Sequence, residues 1–224
     1  MRIVIAGAGL VGRGLAQRLN AGKHDVTVVD SDREVCEQIY SQLGVNTILG
    51  SATSISTLED AELDRADCAA AAMRRDSDNL VFSLLARNMG VDRIICRMRD
   101  PRYEAVYKLA GVTRVLNIVD LYINQFIWEI EEPNMKELTA FGEGRANIVF
   151  VRVPAESRAA GRTIQDIAGD ADFPKDCVIC GVFRPERGEF IVPRGSVKLE
   201  AGDRVYLAAN SDQVRRAARY IGVK

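Results

Sequence analysis

"RIVIAGAGLVGRGLAQRLN", residues 2–20, is the stretch on which the fold turns. An apolar run breaks at Gly7-Ala8-Gly9-Leu10-Val11-Gly12, and the chain then places apolar residues at helical spacing. Strand, glycine turn and helix in that order open a βαβ unit. Each glycine then has its own reason. Gly7 allows a tight turn, Gly9 lets the backbone approach a pyrophosphate, and Gly12 lets the helix pack close to the strand. Ala8, Leu10 and Val11 supply the backbone between them, and phosphate sits on free N–H groups at the helix start.

Working outward, the next strand, "DVTVVD", ends in Asp30, 23 residues after Gly7. A carboxylate at that strand end accepts both ribose hydroxyls and repels a 2′-phosphate. NAD or another adenosine nucleotide is therefore expected over NADP. Ser31 and Asp32 share this edge, and Arg33 close by weakens the exclusion.

The same alternation continues. Strand-like runs "NTIL", "DCAAAAM", "DRIICRM" and "TRVLN" are separated by helix-like runs "REVCEQIYSQLG", "ISTLEDAEL", "SDNLVFSLLARNMG" and "PRYEAVYKLAG". Several of these helices close on glycine, as a C-cap does. Six βα steps predict an α/β fold, a doubly wound parallel (Rossmann) sheet, over residues 1–131. Its last helix, 118–130, spreads Ile118, Val119, Leu121, Ile123, Phe126, Ile127, Trp128 and Ile130 around most of its circumference. Either the chain's own core or a partner subunit must cover the second side. Residues 132–146, polar with Pro133, Gly142 and Gly144, read as a linker. From 147 to 224, strands dominate, and a smaller α+β C-terminal domain is expected.

Composition narrows the function. The 224 residues carry a net charge of −1, with 47% hydrophobic and 27% charged residues, so charge predicts no nucleic-acid or membrane-surface partner. No run approaches membrane-span length, and a strand beginning at residue 2 is expected to leave no room for a targeting segment. Five cysteines, an odd number and mostly scattered, suit a reducing cytoplasm. Cys177 and Cys180 fall on a strand, where positions three apart face opposite ways, so core packing is expected rather than redox or metal chemistry. No metal site is expected. The single histidine, His24, falls at the amino end of a strand, away from the ligand edge, and is expected at the surface. Tyr220 with Lys224 matches a tyrosine-base spacing only by chance. No catalytic residue emerges, and a nucleotide without chemistry around it suggests a sensor.

The ordered set "GAGLVGRGLA", "VTVVD", "GSAT" (50–53), "DSDNLV" and "ICRMRDPRY", with "AGRTIQDIAG" and "IVPRGSVKLEAGDRVYLAAN" in the tail, resembles the RCK/KTN and TrkA C-terminal domains of Trk and Ktr potassium uptake systems. The resemblance spans essentially the whole chain. It implies a non-enzymatic cytoplasmic subunit, peripheral on the inner face of the membrane, that binds a nucleotide and gates a membrane-embedded potassium transporter or channel. NAD(H) is the first expected ligand, with ADP, ATP or AMP as alternatives. The resemblance also places Ser51, Ala52 and Thr53 near the adenine, and Ala72 and Met73 in the loop that closes the site. Asp76 and Asn79 form a polar pair, and Arg97 and Arg99 face the ligand or a subunit interface. It makes 118–130 the crossover helix of a homo-oligomer, at least a dimer. Leu10 and Val11 stand where some ATP-responsive members carry Arg, which counts against γ-phosphate recognition. Arg74-Arg75 read as a solvated pair, with phosphate contact the competing reading. The alternatives in function are an NAD-dependent oxidoreductase and a regulator of a different cation transporter. The unit occurs once here and twice in some members, so the chain is either a single-copy subunit or half of a longer protein.

Overall fold

The computed structural model describes residues 1–131, 135–141 and 145–222, apart from the side chains of Asn124, Trp128, Glu131, Ala140 and Phe141. Two compact units emerge, Met1–Leu121 and Tyr122–Lys224.

The first unit alternates strand and helix. Its elements are β1 (Arg2–Ala6), α1 (Leu10–Ala21), β2 (Asp25–Asp30), α2 (Arg33–Leu43), β3 (Asn46–Leu49) and α3 (Ile55–Asp60). They continue with β4 (Cys68–Ala71), α4 (Asp76–Asn88), β5 (Ile94–Met98), α5 (Glu104–Leu109) and β6 (Arg114–Asn117). The six strands pair in parallel in the order β3-β2-β1-β4-β5-β6. That is the doubly wound order, and it reverses between β1 and β4. β1 shows why both faces are covered. Val4 and Ala6 point into a core with Leu58, Phe82 and Tyr107, while Ile3 and Ile5 point into one with Val26, Val28 and Ile39. α2 starts where the Asp32 carboxylate accepts the Glu34 and Val35 N–H groups, and it ends at left-handed Gly44.

β6 runs into α6 (Ile118–Glu131). Leu121, Tyr122, Ile123, Phe126, Ile127 and Ile130 are all exposed along it. The Trp128 side chain lies outside the described residues.

The second unit holds β7 (Met135–Phe141), β8 (Ala146–Arg152), α7 (Ile164–Ala168), β9 (Val178–Arg184), β10 (Glu189–Ile191), β11 (Arg204–Ala209) and α8 (Ser211–Ile221). Its antiparallel sheet runs β10-β9-β11-β8-β7. One face buries Val149, Val151, Val182, Val205 and Leu207 against Ile167, Val214 and Ile221. Cys177 is buried and Cys180 exposed, as the strand period predicts, and burial pushes the Cys177 thiol up to about 12.

One reading needs correction. The stretch taken as a linker contains β7, paired with β8. Met135 is buried while Lys136 and Leu138 are exposed, and a register shift between Glu137 and Thr139 interrupts the two-residue period. A polar edge strand with a bulge loses the alternation that marks a strand. Pro133, Gly142 and Gly144 lie outside the described residues.

Candidate functional site

The carboxyl ends of β1, β2, β4 and β5 surround a cavity of about 820 Å³. Its place is the reversal point of strand order, where open α/β sheets take ligands. The three glycines meet it in three ways. Gly7 has φ +94°, and a Cβ there would sit 2.9–3.0 Å from Met73. A Cβ on Gly12 would lie 1.8 Å from the Gly7 carbonyl oxygen, so the helix can approach the turn only without a side chain. Gly9 has no atom within 4 Å of its missing Cβ. The space beside Gly9 is open cavity, a cradle that a side chain would fill. Gly9 also caps α1 without a side-chain bond, so the first-turn N–H groups remain available.

Asp30 is already engaged. Its Oδ2 accepts the Ala8 N–H at 2.6 Å, and its Oδ1 accepts the Asp32 N–H at 2.9 Å. The carboxylate thus draws the glycine turn onto β2. Each oxygen keeps a further lone-pair direction, enough for a pair of ribose hydroxyls. The Asp30 carbonyl accepts the Gly50 N–H at 2.8 Å, which sets the Ser51–Thr53 turn beside it. There the Ser51 and Thr53 hydroxyls share a 2.8 Å hydrogen bond.

Across the cavity, the loop after β4 is held by buried Asn79. Its Oδ1 accepts the Met73 N–H at 2.9 Å, and its Nδ2 donates to the Met73 and Arg97 carbonyls at 3.2 and 3.1 Å. Asp76 accepts the Arg99 and Asp100 N–H groups, each at 3.0 Å, and the Tyr107 hydroxyl at 3.1 Å. Burial, then the Asp76 charge, pushes the Tyr107 phenol well above its ordinary range, so this hydroxyl stays a donor. The Arg97 Nε is buried with no hydrogen-bond partner among the described residues. A buried unpaired cationic donor fits an anionic ligand.

Of the expected residues, Gly7, Gly9, Leu10, Asp30, Ser31, Asp32, Ser51, Ala52, Thr53, Ala72, Met73 and Arg97 line the cavity. Ala8, Val11, Gly12, Arg33, Asn79 and Arg99 do not. Ala8 and Asn79 shape the turns through backbone bonds, Gly12 seats the helix, and Arg33 borders a separate groove beside α2 with Cys36 and Tyr40. Val29 and Asp78 line it unexpectedly, and Gly50 and Arg74 join them. Arg74 faces the cavity, the placement that the competing reading requires. Arg75 keeps the solvated one, three-quarters exposed with Asp78 at 4.0 Å. His24 is half-buried in the turn before β2, at the opposite edge from the cavity. Tyr220 hydrogen-bonds Asp170 and accepts from Arg162, and Lys224 lies outside the described residues. Among the described residues no group of three or more His, Cys, Asp or Glu is arranged to hold a metal, and no helix is long and apolar enough to cross a membrane.

Known proteins carry the same pattern. The TrkA-N domain model matches residues 3–118, and the TrkA-C domain model matches residues 148–222. A Trk system potassium uptake protein TrkA homolog from Methanothermobacter thermautotrophicus is 29% identical over 219 residues, 98% of each chain. One from Archaeoglobus fulgidus is 34% identical, and this chain spans 48% of its length. The Trk system potassium uptake protein TrkA of Mycobacterium tuberculosis is 27% identical, with 99% of this chain matching 98% of that one. Among solved structures, the GsuK RCK domain superposes with a TM-score of 0.69 at 21% identity, covering 99% of this chain and 47% of that one. The GsuK channel bound to NAD gives 0.68 at 22%, covering 99% and 39%. At such identities these structures share the fold.

Proposed function

The chain belongs to the TrkA family, a TrkA-N domain followed by a TrkA-C domain, and from that premise we propose that it is a nucleotide-binding regulatory subunit of a potassium transport system. The observation that carries this reading is the cavity over the glycine turn, with Asp30 on one side and an unpartnered Arg97 Nε on the other. In this reading the phosphates lie on the N–H groups at the start of α1, as they do at other glycine-rich helix starts. Asp30 takes the ribose hydroxyls, and Ser51–Thr53 flank the base. Asn79 acts as a positioning residue that fixes Met73 and the β5 carbonyl. NAD(H) and the adenosine phosphates are the ligand classes. The resemblance of relatives named as potassium uptake proteins, two of them matched over nearly their full length, supports transport as the process served.

The subunit works at the cytoplasmic face through a membrane-embedded partner, whose gating responds to nucleotide occupancy. It turns over no substrate. Among the described residues the cavity lining holds no histidine, tyrosine, lysine or cysteine, and its three carboxylates, Asp30, Asp32 and Asp78, are each engaged by donors of the protein, whereas a hydride-transfer site needs a group free to move the proton. The test is nucleotide binding by titration calorimetry, followed by an NADH-oxidation assay against a panel of carbonyl substrates. Binding without turnover is expected. Turnover abolished by a single substitution in the cavity would replace this reading with an oxidoreductase.

A further inference from the structure

The sheet of the second unit buries one face against α7 and α8. On its other face β8 and β11 carry Phe150, Arg152, Arg204 and Tyr206, and the register sets Arg204 directly opposite Arg152. Like charges opposite each other on paired strands repel. On its second flank Arg204 meets Phe183 of β9 and not an acid. Its guanidinium lies 5.4 Å from the Phe150 ring centre and 5.8 Å from that of Phe183, contacts that orient the group without neutralising it. Arg152 is exposed and, like Arg204, has no hydrogen bond or ion pair among the described residues. The acids close by are spent elsewhere. Glu200 pairs with Arg184 at 3.1 Å and with Arg187 at 3.4 Å. Asp203 faces Arg184 at 3.4 Å and accepts the Glu200 N–H at 2.8 Å. The two arginines open on a groove of about 230 Å³ whose other walls are Pro185, Glu186 and Gly202. Gly202 holds a left-handed turn there, with φ +90°, so backbone forms that wall. Glu186 is exposed and forms no ion pair among the described residues.

We propose that this groove is a second ligand site, one that takes a small oxyanion of the phosphate class, phosphate or pyrophosphate, clamped between Arg152 and Arg204. A guanidinium presents its donors as a planar fork that matches phosphate oxygens in pairs. Side chains directly opposite on antiparallel strands start about 5 Å apart, so the two forks approach one anion from two sides. A tetrahedral dianion has oxygens for both and turns the repulsion between the arginines into a shared attraction. A carboxylate has one plane and one charge, and it satisfies only one of the two. Two guanidinium groups against the single Glu186 carboxylate leave the groove net positive. Every residue of the site lies in the second unit, so it stands apart from whatever the cavity over the glycine turn binds.

The test is calorimetry of the full chain with inorganic phosphate, pyrophosphate and acetate at fixed ionic strength, on the parent and on Arg152→Gln, Arg204→Gln, Glu186→Gln and Arg187→Gln. Pyrophosphate should bind the parent more tightly than phosphate, and acetate should bind at least about tenfold more weakly than phosphate. Arg152→Gln and Arg204→Gln should each weaken pyrophosphate at least about tenfold. Glu186→Gln, which removes the carboxylate of the groove, should tighten it about threefold. Arg187→Gln should leave it within about twofold, since its partner is the exposed Glu200. Thermal unfolding without ligand gives a second readout. Arg152→Gln should melt about 1–2 °C above the parent, because it relieves a like-charge pair, whereas loss of a structural contact would lower the melting temperature. Should Arg204→Gln not fold for want of its ring contacts, Arg152→Gln alone decides. Pyrophosphate affinity indifferent to Arg152→Gln, an Arg152→Gln variant that melts below the parent, or a parent that binds neither phosphate nor pyrophosphate overturns the proposal.

Discussion

In the proposed reading the Asp30 carboxylate holds two duties, and they separate in experiment. Toward the protein it accepts the Ala8 and Asp32 N–H groups. Toward a nucleotide, on the proposed reading, it offers the remaining lone pairs to ribose. Asp30→Ala should therefore lower nucleotide affinity about a hundredfold, and lower the stability of the unliganded protein by about 1–3 kcal/mol, because two donors lose their acceptor. Calorimetry and urea unfolding read the two effects apart, and an affinity change below about twofold removes Asp30 from the site. The turn and the strand end that carries Asp30 were legible in the sequence, because glycine and carboxylate spacing after a strand is a backbone requirement written in residue type. Arg74 and Arg75 were not separable. Adjacent exposed cations differ only in the direction their side chains leave the loop, which the Asn79 and Asp76 anchors set from six residues and one strand away. Asn79 has the composition of a ligand contact and the position of a backbone clamp.

Strands and helices of the first unit could be read because period and capping agree along them. β7 could not, since one buried methionine and a bulge leave no period to count. α6 poses the opposite case, a helix whose apolar character was plain and whose cover was not. Leu121, Phe126 and Ile130 are 63%, 67% and 77% exposed. We propose that a second copy of the chain covers this strip, since an exposed apolar patch of this kind is what an association surface requires. The expected outcome is a dimer or larger assembly by light scattering at micromolar concentration, shifted toward monomer by Phe126→Glu. A parent that stays monomeric at that concentration refutes it.

For the whole molecule, acid sensitivity should concentrate in the second unit. Asp170 accepts from the Tyr220 hydroxyl and the Arg162 guanidinium, each at 2.7 Å, and from the Asp172 N–H at 3.1 Å. The Tyr220 hydroxyl, then Arg162, then that N–H hold the Asp170 carboxyl well below its ordinary 3.8. A depressed carboxyl stabilises the fold above its unfolded value, and that contribution drains away as pH falls through the folded one. Asp170→Asn should therefore melt lower than the parent at neutral pH, and the gap should narrow from about pH 4 downward. A gap that stays constant to pH 3 would mean that the carboxyl charge contributes nothing. The fold class of each unit was legible in the sequence. The cluster on Asp170 was not, because Arg158, Arg162, Asp170 and Tyr220 come together only when α8 folds back over the sheet.

The two glycines that bracket the first turn of α1 differ in what they answer to. Position 12 is closed by the chain's own carbonyl, so every substitution there is a folding defect. Position 9 opens on empty space, so the protein itself does not object to a side chain. In a saturation library sorted first for soluble expression and then for nucleotide retention, tolerance at 12 should vanish in the first sort, and tolerance at 9 should survive it and vanish in the second. On the proposed reading the same letter in the sequence records two histories, one imposed by the polypeptide on itself and one imposed by a small molecule.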